Sequence, residues 1–146
     1  MFKRILLATD GSAASDHAAT LALSMARQNG ARVTALYVVD PYPFLGVGEV
    51  NPMGFDAYMA AARDQAAQAH AQILKKAAEG SAPVTVHTRL VEDVAVMEGI
   101  LDTIKQDQCD LVVIGSHGRT GLSRLMLGSV AAKVVAHSPV PVLVTR

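Results

Sequence analysis

The sequence predicts an α/β fold, namely a five-stranded parallel sheet that is doubly wound, with helices on both faces. Short apolar runs alternate along the chain with segments whose apolar residues recur at helical spacing. Strands one, two, four and five are apolar at nearly every position, which is typical of strands buried on both faces. Because helices join successive strands through right-handed crossovers, the strands are expected to be parallel.

The predicted elements alternate without interruption along the chain. The strands cover residues 5–8, 33–39, 84–91, 111–114 and 140–144. The helices cover residues 13–29, 52–78, a segment capped by Asp93 with an apolar stripe from 96 to 104, and 129–137. Gly30 ends the first helix, and Asn51 and Pro52 form the N-cap and first position of the second. The Pro- and Gly-rich stretch 42–51 has no periodicity and is predicted as a loop.

The third strand differs from the other four because it alternates. Val84, Val86 and Leu90 face one way and polar residues face the other, which favours an edge position. A flavodoxin-like order of 3-2-1-4-5 places strands three and five at the edges, and the order reverses between strands one and four. Ligands of such sheets bind outside the carboxyl ends of the strands at this reversal. The strand ends predicted to meet there are Ala8, Thr9, Asp10, Ile114 and Gly115.

Composition narrows the class of protein. With 146 residues, of which 51% are hydrophobic and 18% charged, the chain is predicted to form one domain over residues 1–146. The 13 basic and 13 acidic residues balance, so neither nucleic acid nor a membrane is expected as a partner. Cys109 is the only cysteine; it is predicted as a buried apolar residue and favours a cytoplasmic setting. The apolar run at 5–8 is too short for a signal peptide.

The segment between the fourth strand and the fourth helix gives the strongest functional indication. Gly115 and Gly118 are separated by two residues, and nine further residues precede Gly128 and Ser129. Glycines allow a backbone to approach a ligand closely, and a helix N-terminus offers N–H groups to phosphates. The segment is neither a Walker A loop nor a dinucleotide fingerprint, because the strings that define those motifs are absent from the sequence. It predicts a phosphate-binding site made largely of backbone.

Together with the rest of the chain, this spacing resembles that of the universal stress protein family, in its nucleotide-binding branch. The resemblance covers the whole chain and depends on several short segments in a fixed order. These segments are residues 3–12, 37–40, 115–121, 127–130 and 139–144.

The resemblance implies a flavodoxin-like, adenine nucleotide alpha hydrolase-like fold and ATP bound with Mg²⁺ or Mn²⁺ through its phosphates. It implies that ribose and phosphates are held by Gly115, Gly118, Gly128, Ser129 and Val130. It assigns the adenosine end to Ala8, Thr9, Asp10 and Val38 or Val39. Ile114, His117 and Arg119 complete the predicted site. In the family a second hydroxyl residue often follows the serine by two positions, and Ala131 removes that phosphate contact here.

Several of these residues have a simpler alternative role. Asp10 is either a helix cap or a contact to ligand or metal, and Arg119 and Arg124 are either phosphate partners or solvated loop residues. His117 is a loop residue bonded to backbone, a phosphate donor or a phosphoacceptor. The aromatic residues between 42 and 58 form either a lid or a small core of the loop; they are Tyr42, Phe44, Phe55 and Tyr58. The remaining histidines lack ligand spacing, so no metal site of protein ligands is predicted.

The last strand indicates an association between copies of the chain. Residues from Val140 to Val144 are strongly apolar although the strand is predicted at an edge, where an exposed strand would invite aggregation. Pro141 blunts this edge only in part. Pairing with the same strand of a second copy around a two-fold axis removes the edge, so we predict a homodimer. The resemblance implies the same interface.

The leading hypothesis for function is an ATP-binding regulator or sensor of the cellular stress response. A second hypothesis is slow ATP hydrolysis or autophosphorylation, with Asp10 holding the metal and Ser116, His117 or Ser129 accepting a phosphoryl group. No residue is placed as a catalytic base, so efficient catalysis is not expected. A third hypothesis is a binder of AMP-type nucleotides or a nucleotide-free dimeric scaffold.

Overall fold

The computed structural model describes residues 1–42, 52–118 and 126–146. The strands in this part of the chain are β1 (Arg4–Ala8), β2 (Arg32–Val39), β3 (Val86–Glu92), β4 (Leu111–Gly115) and β5 (Val142–Thr145). The helices are α1 (Ala13–Asn29), α2 (Pro52–Ala78), α3 (Val96–Asp107) and α4 (Ser129–His137). The strands form one parallel sheet in the order β3-β2-β1-β4-β5, which confirms the predicted fold class and strand order.

Helix boundaries follow local chemistry in most places. Ser12 caps α1 by accepting a hydrogen bond from the Ser15 N–H at 3.3 Å, and Gly30 ends the helix in the left-handed conformation. The prediction that Asp93 caps α3 is wrong. Asp93 has a φ of 60°, whereas an N-cap residue needs the extended conformation, and Ala95 occupies the cap position without a side-chain hydrogen bond.

The core lies in two layers, one on each face of the sheet. Alternate residues of β1 point to opposite faces, so that Leu7 packs beneath α1 and Leu6 packs beneath α3. Both side chains are fully buried. Cys109 lies in the second layer, where burial raises the pKa of its thiol to about 11, with the nearby Asp107 carboxylate adding to the shift. This thiol is therefore an apolar packing residue, as the sequence predicts.

The two edge strands both begin later than predicted. β3 begins at Val86, and its Leu90 side chain is 39% exposed, while Val91 packs against the second core layer. β5 begins at Val142 because the Ser138 hydroxyl donates to the Val140 carbonyl at 2.7 Å and accepts from the Val140 N–H at 3.2 Å. These bonds hold residue 140 in a turn. No helix of the described residues is long and apolar enough to cross a membrane.

The C-terminal end of α2 is fixed by one side chain of α1. The Arg27 guanidinium donates to the Lys76 carbonyl at 2.7 Å, to the Glu79 carbonyl at 2.9 Å and to the Ala82 carbonyl at 3.2 Å. The last carbonyls of a helix lack partners within the helix, and a cation there also interacts favourably with the helix dipole. Arg27 thus joins α1 to the end of α2 and to the turn that leads into β3.

We expect Arg27→Ala to lower the free energy of unfolding by about 1–3 kcal/mol, because three carbonyls lose a charged donor at once. Urea denaturation followed by circular dichroism measures this loss. Lys75→Ala is the matched control, since it removes an exposed cation from the same end of α2. Equal midpoints for the two variants would contradict the role given to Arg27.

Candidate functional site

A cavity of about 630 Å³ opens at the carboxyl ends of β1, β2 and β4, where the strand order reverses. Its volume lies in the range of small-molecule sites, and its position is the one at which α/β sheets of this type bind ligands. All predicted site residues within the described part of the chain line it. They are Ala8, Thr9, Asp10, Val38, Val39, Ile114, Gly115, His117, Gly118, Gly128, Ser129 and Val130. Arg119 and Arg124 lie outside the described residues.

The turn after β1 orients Asp10 at one side of the cavity. Thr9 and Asp10 fold the chain back on itself, since the Thr9 hydroxyl accepts from the Gly11 N–H at 3.2 Å and Asp10 Oδ1 accepts from the Ser12 N–H at 2.9 Å. Gly11 has a φ of +77°, which a glycine adopts without strain. Asp10 therefore helps to shape the turn before α1 and also faces the cavity, so both roles proposed for it are compatible.

The end of β2 presents main-chain groups to the cavity. Even-numbered residues of β2 pair toward β1, because the Arg32 N–H donates to the Lys3 carbonyl and the Leu36 carbonyl accepts from the Thr9 N–H. The next residue of this series is Val38. Among the described residues no backbone hydrogen bond from β1 reaches it, since the register ends with Ala8 opposite Leu36. The N–H and carbonyl of Val38 consequently point past the end of β1.

The glycines of the motif are required by close approach rather than by an unusual backbone conformation. A Cβ on Gly115 would lie 3.0 Å from the backbone of Ala14 in α1, and one on Gly128 would lie 2.8 Å from the Ser116 carbonyl oxygen. A Cβ on Gly118 would lie 2.9 Å from Asp10 Oδ2. None of these three glycines has a positive φ.

The N-terminus of α4 faces the cavity. Gly128 occupies its N-cap position, where it has no side chain to cap the helix, and its own N–H donates to the Ser116 carbonyl at 2.7 Å. Ser129, Val130 and Ala131 form the first turn, line the cavity and include no acidic residue. The first N–H groups of a helix have no partner within the helix, and they carry the positive end of its dipole. This end of the cavity suits an anion.

Ser116 and His117 form a pair at the end of β4. The Ser116 oxygen lies 2.8 Å from Nδ1 of His117, and Ser116 is 2% exposed. The hydroxyl is thus enclosed between the strand and the imidazole ring. His117 is thus bonded locally to the Ser116 side chain, and its roles toward a phosphate stay predictions.

The charge of the described cavity lining is negative. Asp10 and Asp40 are its carboxylates, and the described lining contains no lysine or arginine. Among the described residues no three His, Cys, Asp or Glu side chains lie together as a metal site. Mg²⁺ in proteins is held by one or two carboxylates together with substrate phosphates. Asp10, which faces the uncapped helix across the cavity, fits this arrangement.

Sequence reasoning considered Tyr58 as part of a lid but missed the rest of the wall that α2 contributes. Tyr58, Ala61, Ala62 and Gln65 lie at the spacing of one helix face and line the cavity. The Tyr58 hydroxyl donates to the Asp40 carbonyl at 3.0 Å. The helix is alanine-rich on all sides, so its sequence does not single out this face. In the sequence, Tyr58 near the start of the helix was the indication that this part of α2 borders the site.

The aromatic residues before and within α2 form a cluster beside this wall. The ring of Tyr42 stands edge-on to Tyr58 at 5.3 Å between centroids and to Phe55 at 5.8 Å. Tyr58 is the member that lines the cavity, and Phe55 is 40% exposed. The described rings thus pack on one another and border the cavity, and the lid stays a prediction. Phe44 lies outside the described residues.

Fold and site together define a doubly wound α/β protein with a ligand cavity at the switch point of its sheet. The universal stress protein family model matches residues 1–146, and the chain belongs to this family. A universal stress protein of Methanocaldococcus jannaschii is 35% identical over 146 residues, which cover 100% of this chain and 83% of that protein. One from Thermus aquaticus is 34% identical over 147 residues, covering 100% of both chains.

Solved structures agree with this assignment. A universal stress protein from Lactobacillus plantarum superposes with a TM-score of 0.79 at 30% identity, over 99% of this chain and 97% of that one. A universal stress protein from Archaeoglobus fulgidus, solved in complex with dAMP, superposes with a TM-score of 0.68 at 19% identity, over 100% of this chain and 98% of that one. The second likeness concerns the fold alone. The fold is thereby the flavodoxin-like, adenine nucleotide alpha hydrolase-like one.

We expect Gly128→Ala to destabilise the protein by about 1–3 kcal/mol, because the added methyl would lie 2.8 Å from a backbone oxygen that cannot move independently. Gly118→Ala is the control. Among the described residues its methyl would meet only the end of the Asp10 side chain, and the expected loss of stability is smaller. Thermal unfolding of both variants without ligand measures the difference. Equal losses would mean that α4 is not held against Ser116 as described.

Proposed function

We propose that this protein is an ATP-binding regulator or sensor in the stress response of the cell. The observation that carries the proposal is that an open strand edge and an uncapped helix N-terminus face the same cavity. The first suits a purine base and the second suits phosphates. The cytoplasmic setting favoured by the single cysteine remains a prediction.

At the base end, the peptide groups of Val38 offer one donor and one acceptor side by side. Adenine carries an acceptor at N1 next to a donor at its 6-amino group, so it complements this pair. The apolar side chains of Val96, Ile100 and Ile114 line the same cavity and supply surface for the faces of the base. This arrangement supports recognition of adenine through backbone hydrogen bonds.

At the phosphate end, the first turn of α4 supplies N–H groups and the Ser129 hydroxyl. The described lining has two carboxylates and no lysine or arginine, so a cation bound with the phosphates would offset the negative charge of both. We propose that Mg²⁺ or Mn²⁺ is held by Asp10 and the phosphates together. The metal would supply charge neutralisation at the phosphates, and the chain would orient them by its backbone.

AMP-type ligands are the second candidate. Structures of family members with cAMP, with dAMP and, for a protein from Arabidopsis thaliana, with AMP share this fold at TM-scores of 0.62, 0.68 and 0.65. These nucleotides have the same base and a single phosphate. They would use the Val38 edge but engage less of the α4 terminus. Slow ATP hydrolysis or autophosphorylation receives less support, since Ser116, whose oxygen lies 2.8 Å from Nδ1 of His117, is only 2% exposed.

Calorimetric titration with ATP, ADP, AMP and cAMP, each with and without Mg²⁺, ranks these ligands. We expect ATP with Mg²⁺ to bind most tightly and Gly118→Val to abolish binding while the unfolding temperature changes little. A Cβ at this position would lie 2.9 Å from Asp10 Oδ2, so the valine would occupy the part of the cavity beside that carboxylate. No binding of any nucleotide at millimolar concentration would refute the proposed function, and retained binding by Gly118→Val would refute the placement of the phosphates.

We also propose that two copies pair through the open edge of β5. The Pro141 carbonyl accepts a hydrogen bond from Val112 of β4, and the Thr145 carbonyl accepts one from Ser116 just after β4, so the peptide groups of Val142 and Val144 point away from the sheet. Both side chains are half-buried, and Val135 on the adjoining α4 is 48% exposed. An unpaired apolar edge is a template for pairing with another strand, and a two-fold axis would close it.

The outward direction of the Val144 N–H gives a test of this pairing. Val144→Pro removes that donor without touching a bond to β4, and we expect it to convert a dimer into a monomer in sedimentation velocity. Val144→Thr keeps the N–H and a β-branched side chain, and it should remain dimeric. A parent protein that sediments as a monomer, or a proline variant that remains a dimer, would contradict the proposal.

A further inference from the structure

The peptide edge of Val38 is fixed by two helices that contact β2 from opposite faces of the sheet. α3 touches the Val38 side chain, and α2 reaches the backbone two residues further along. Neither contact belongs to the glycine motif. Both contacts involve the end of β2, where the N–H and carbonyl of Val38 have no partner strand among the described residues, so each helps to fix the direction of these groups.

Gly99 is the contact from α3. A Cβ at this position would lie 2.8 Å from Cγ2 and 3.2 Å from Cγ1 of Val38, so the helix approaches the strand more closely than any other residue type allows. A glycine inside a helix costs about 1 kcal/mol relative to alanine. Gly99 is buried and lies close to Val38, so packing explains why a glycine occupies this helix position.

Tyr58 is the contact from α2. Its hydroxyl donates to the Asp40 carbonyl at 3.0 Å, immediately after the end of β2. Its ring is held edge-on by Tyr42 and packs beside the core cluster that contains Val39 and Met59. A ring held in this way keeps its hydroxyl in a fixed position. The hydrogen bond therefore anchors the chain where β1 no longer supports it.

We propose that Tyr58 and Gly99 are positioning residues that hold the Val38 peptide edge in register with adenine and so set the preference for adenine over 6-oxo purines. Hypoxanthine and guanine present an acceptor at position 6 and a donor at N1, the reverse of adenine. With sugar and phosphates fixed by the loop and α4, a base of reversed pattern cannot make both hydrogen bonds. The inference rests on the proposed function, because it concerns the base end of the same site.

Tyr58→Phe tests the hydroxyl, with ATP, inosine triphosphate and inorganic tripolyphosphate as the probes, each with Mg²⁺. We expect the variant to bind ATP about 3- to 10-fold more weakly than the parent, which corresponds to the loss of one hydrogen bond. Its affinity for the other two probes should be unchanged. The ratio of ATP to inosine triphosphate affinity thus falls. Tyr42→Phe, which makes the same change in the neighbouring ring, should leave this ratio unchanged.

Gly99→Ala tests the contact from α3 independently. The added methyl displaces Val38, and we expect the same fall in the ratio with tripolyphosphate binding retained. Equal losses for all three probes in either variant would indicate a general structural role and would overturn the inference, as would an unchanged ratio in both. A parent that binds tripolyphosphate but neither nucleotide would refute the proposed function itself, and the inference with it.

Discussion

The early end of β1 is the constraint on which the site depends. β1 pairs with β2 as far as Leu36, while β2 continues through Val39 along β3. Thr9 and Asp10 then turn the chain into α1 through local hydrogen bonds and the positive φ of Gly11. A longer β1 would cover the peptide groups of Val38 and fill the space between β2 and β4. Two hydrogen-bonding side chains and one glycine in a short turn therefore determine that a cavity exists at the switch point.

Close packing of helices on strand ends then gives this cavity its shape. At Gly115, Gly128 and Gly99, a helix or loop lies so near another segment that a single methyl would have to displace it. Interiors are packed at crystal-like density, so such contacts transmit a shift of one element directly to the next. α1, α4 and α3 are thereby fixed relative to β4, Ser116 and Val38. The geometry of the site follows from these three approaches, which lie on different helices.

The fold was accessible from the sequence because it depends on patterns that act locally. Buried parallel strands are apolar at each position, helices show their period, and residues such as Ser12, Gly30 and Pro52 mark helix ends. Asp93 was misleading, since an aspartate serves equally well in a turn of positive φ and at an N-cap. The later start of β5, at Val142, depends on the Ser138 hydroxyl, and no sequence pattern shows that this hydroxyl bonds to Val140.

The site was accessible only in part, for a related physical reason. Glycine spacing and strand ends predicted that residues of the loop and of β1 surround one site, and the described ones among them line one cavity. The sequence could not predict why glycine is needed at these positions, because Ala14 and Gly115, or Val38 and Gly99, meet only after the chain has folded. The wall from α2 was missed since an alanine-rich helix has no distinctive face until its neighbours are known.

The charge around the cavity bears on what the protein does with a nucleotide. Phosphoryl transfer needs cations on the transferred group and a residue that orients the attacking atom. The described lining offers two carboxylates, backbone N–H groups and a serine hydroxyl enclosed against His117. Under the proposed function, such a lining would hold phosphates through Asp10, a metal ion and the α4 terminus. The Ser116 hydroxyl is buried, so transfer of a phosphoryl group to it would require the surrounding side chains to move, whereas holding a nucleotide would not.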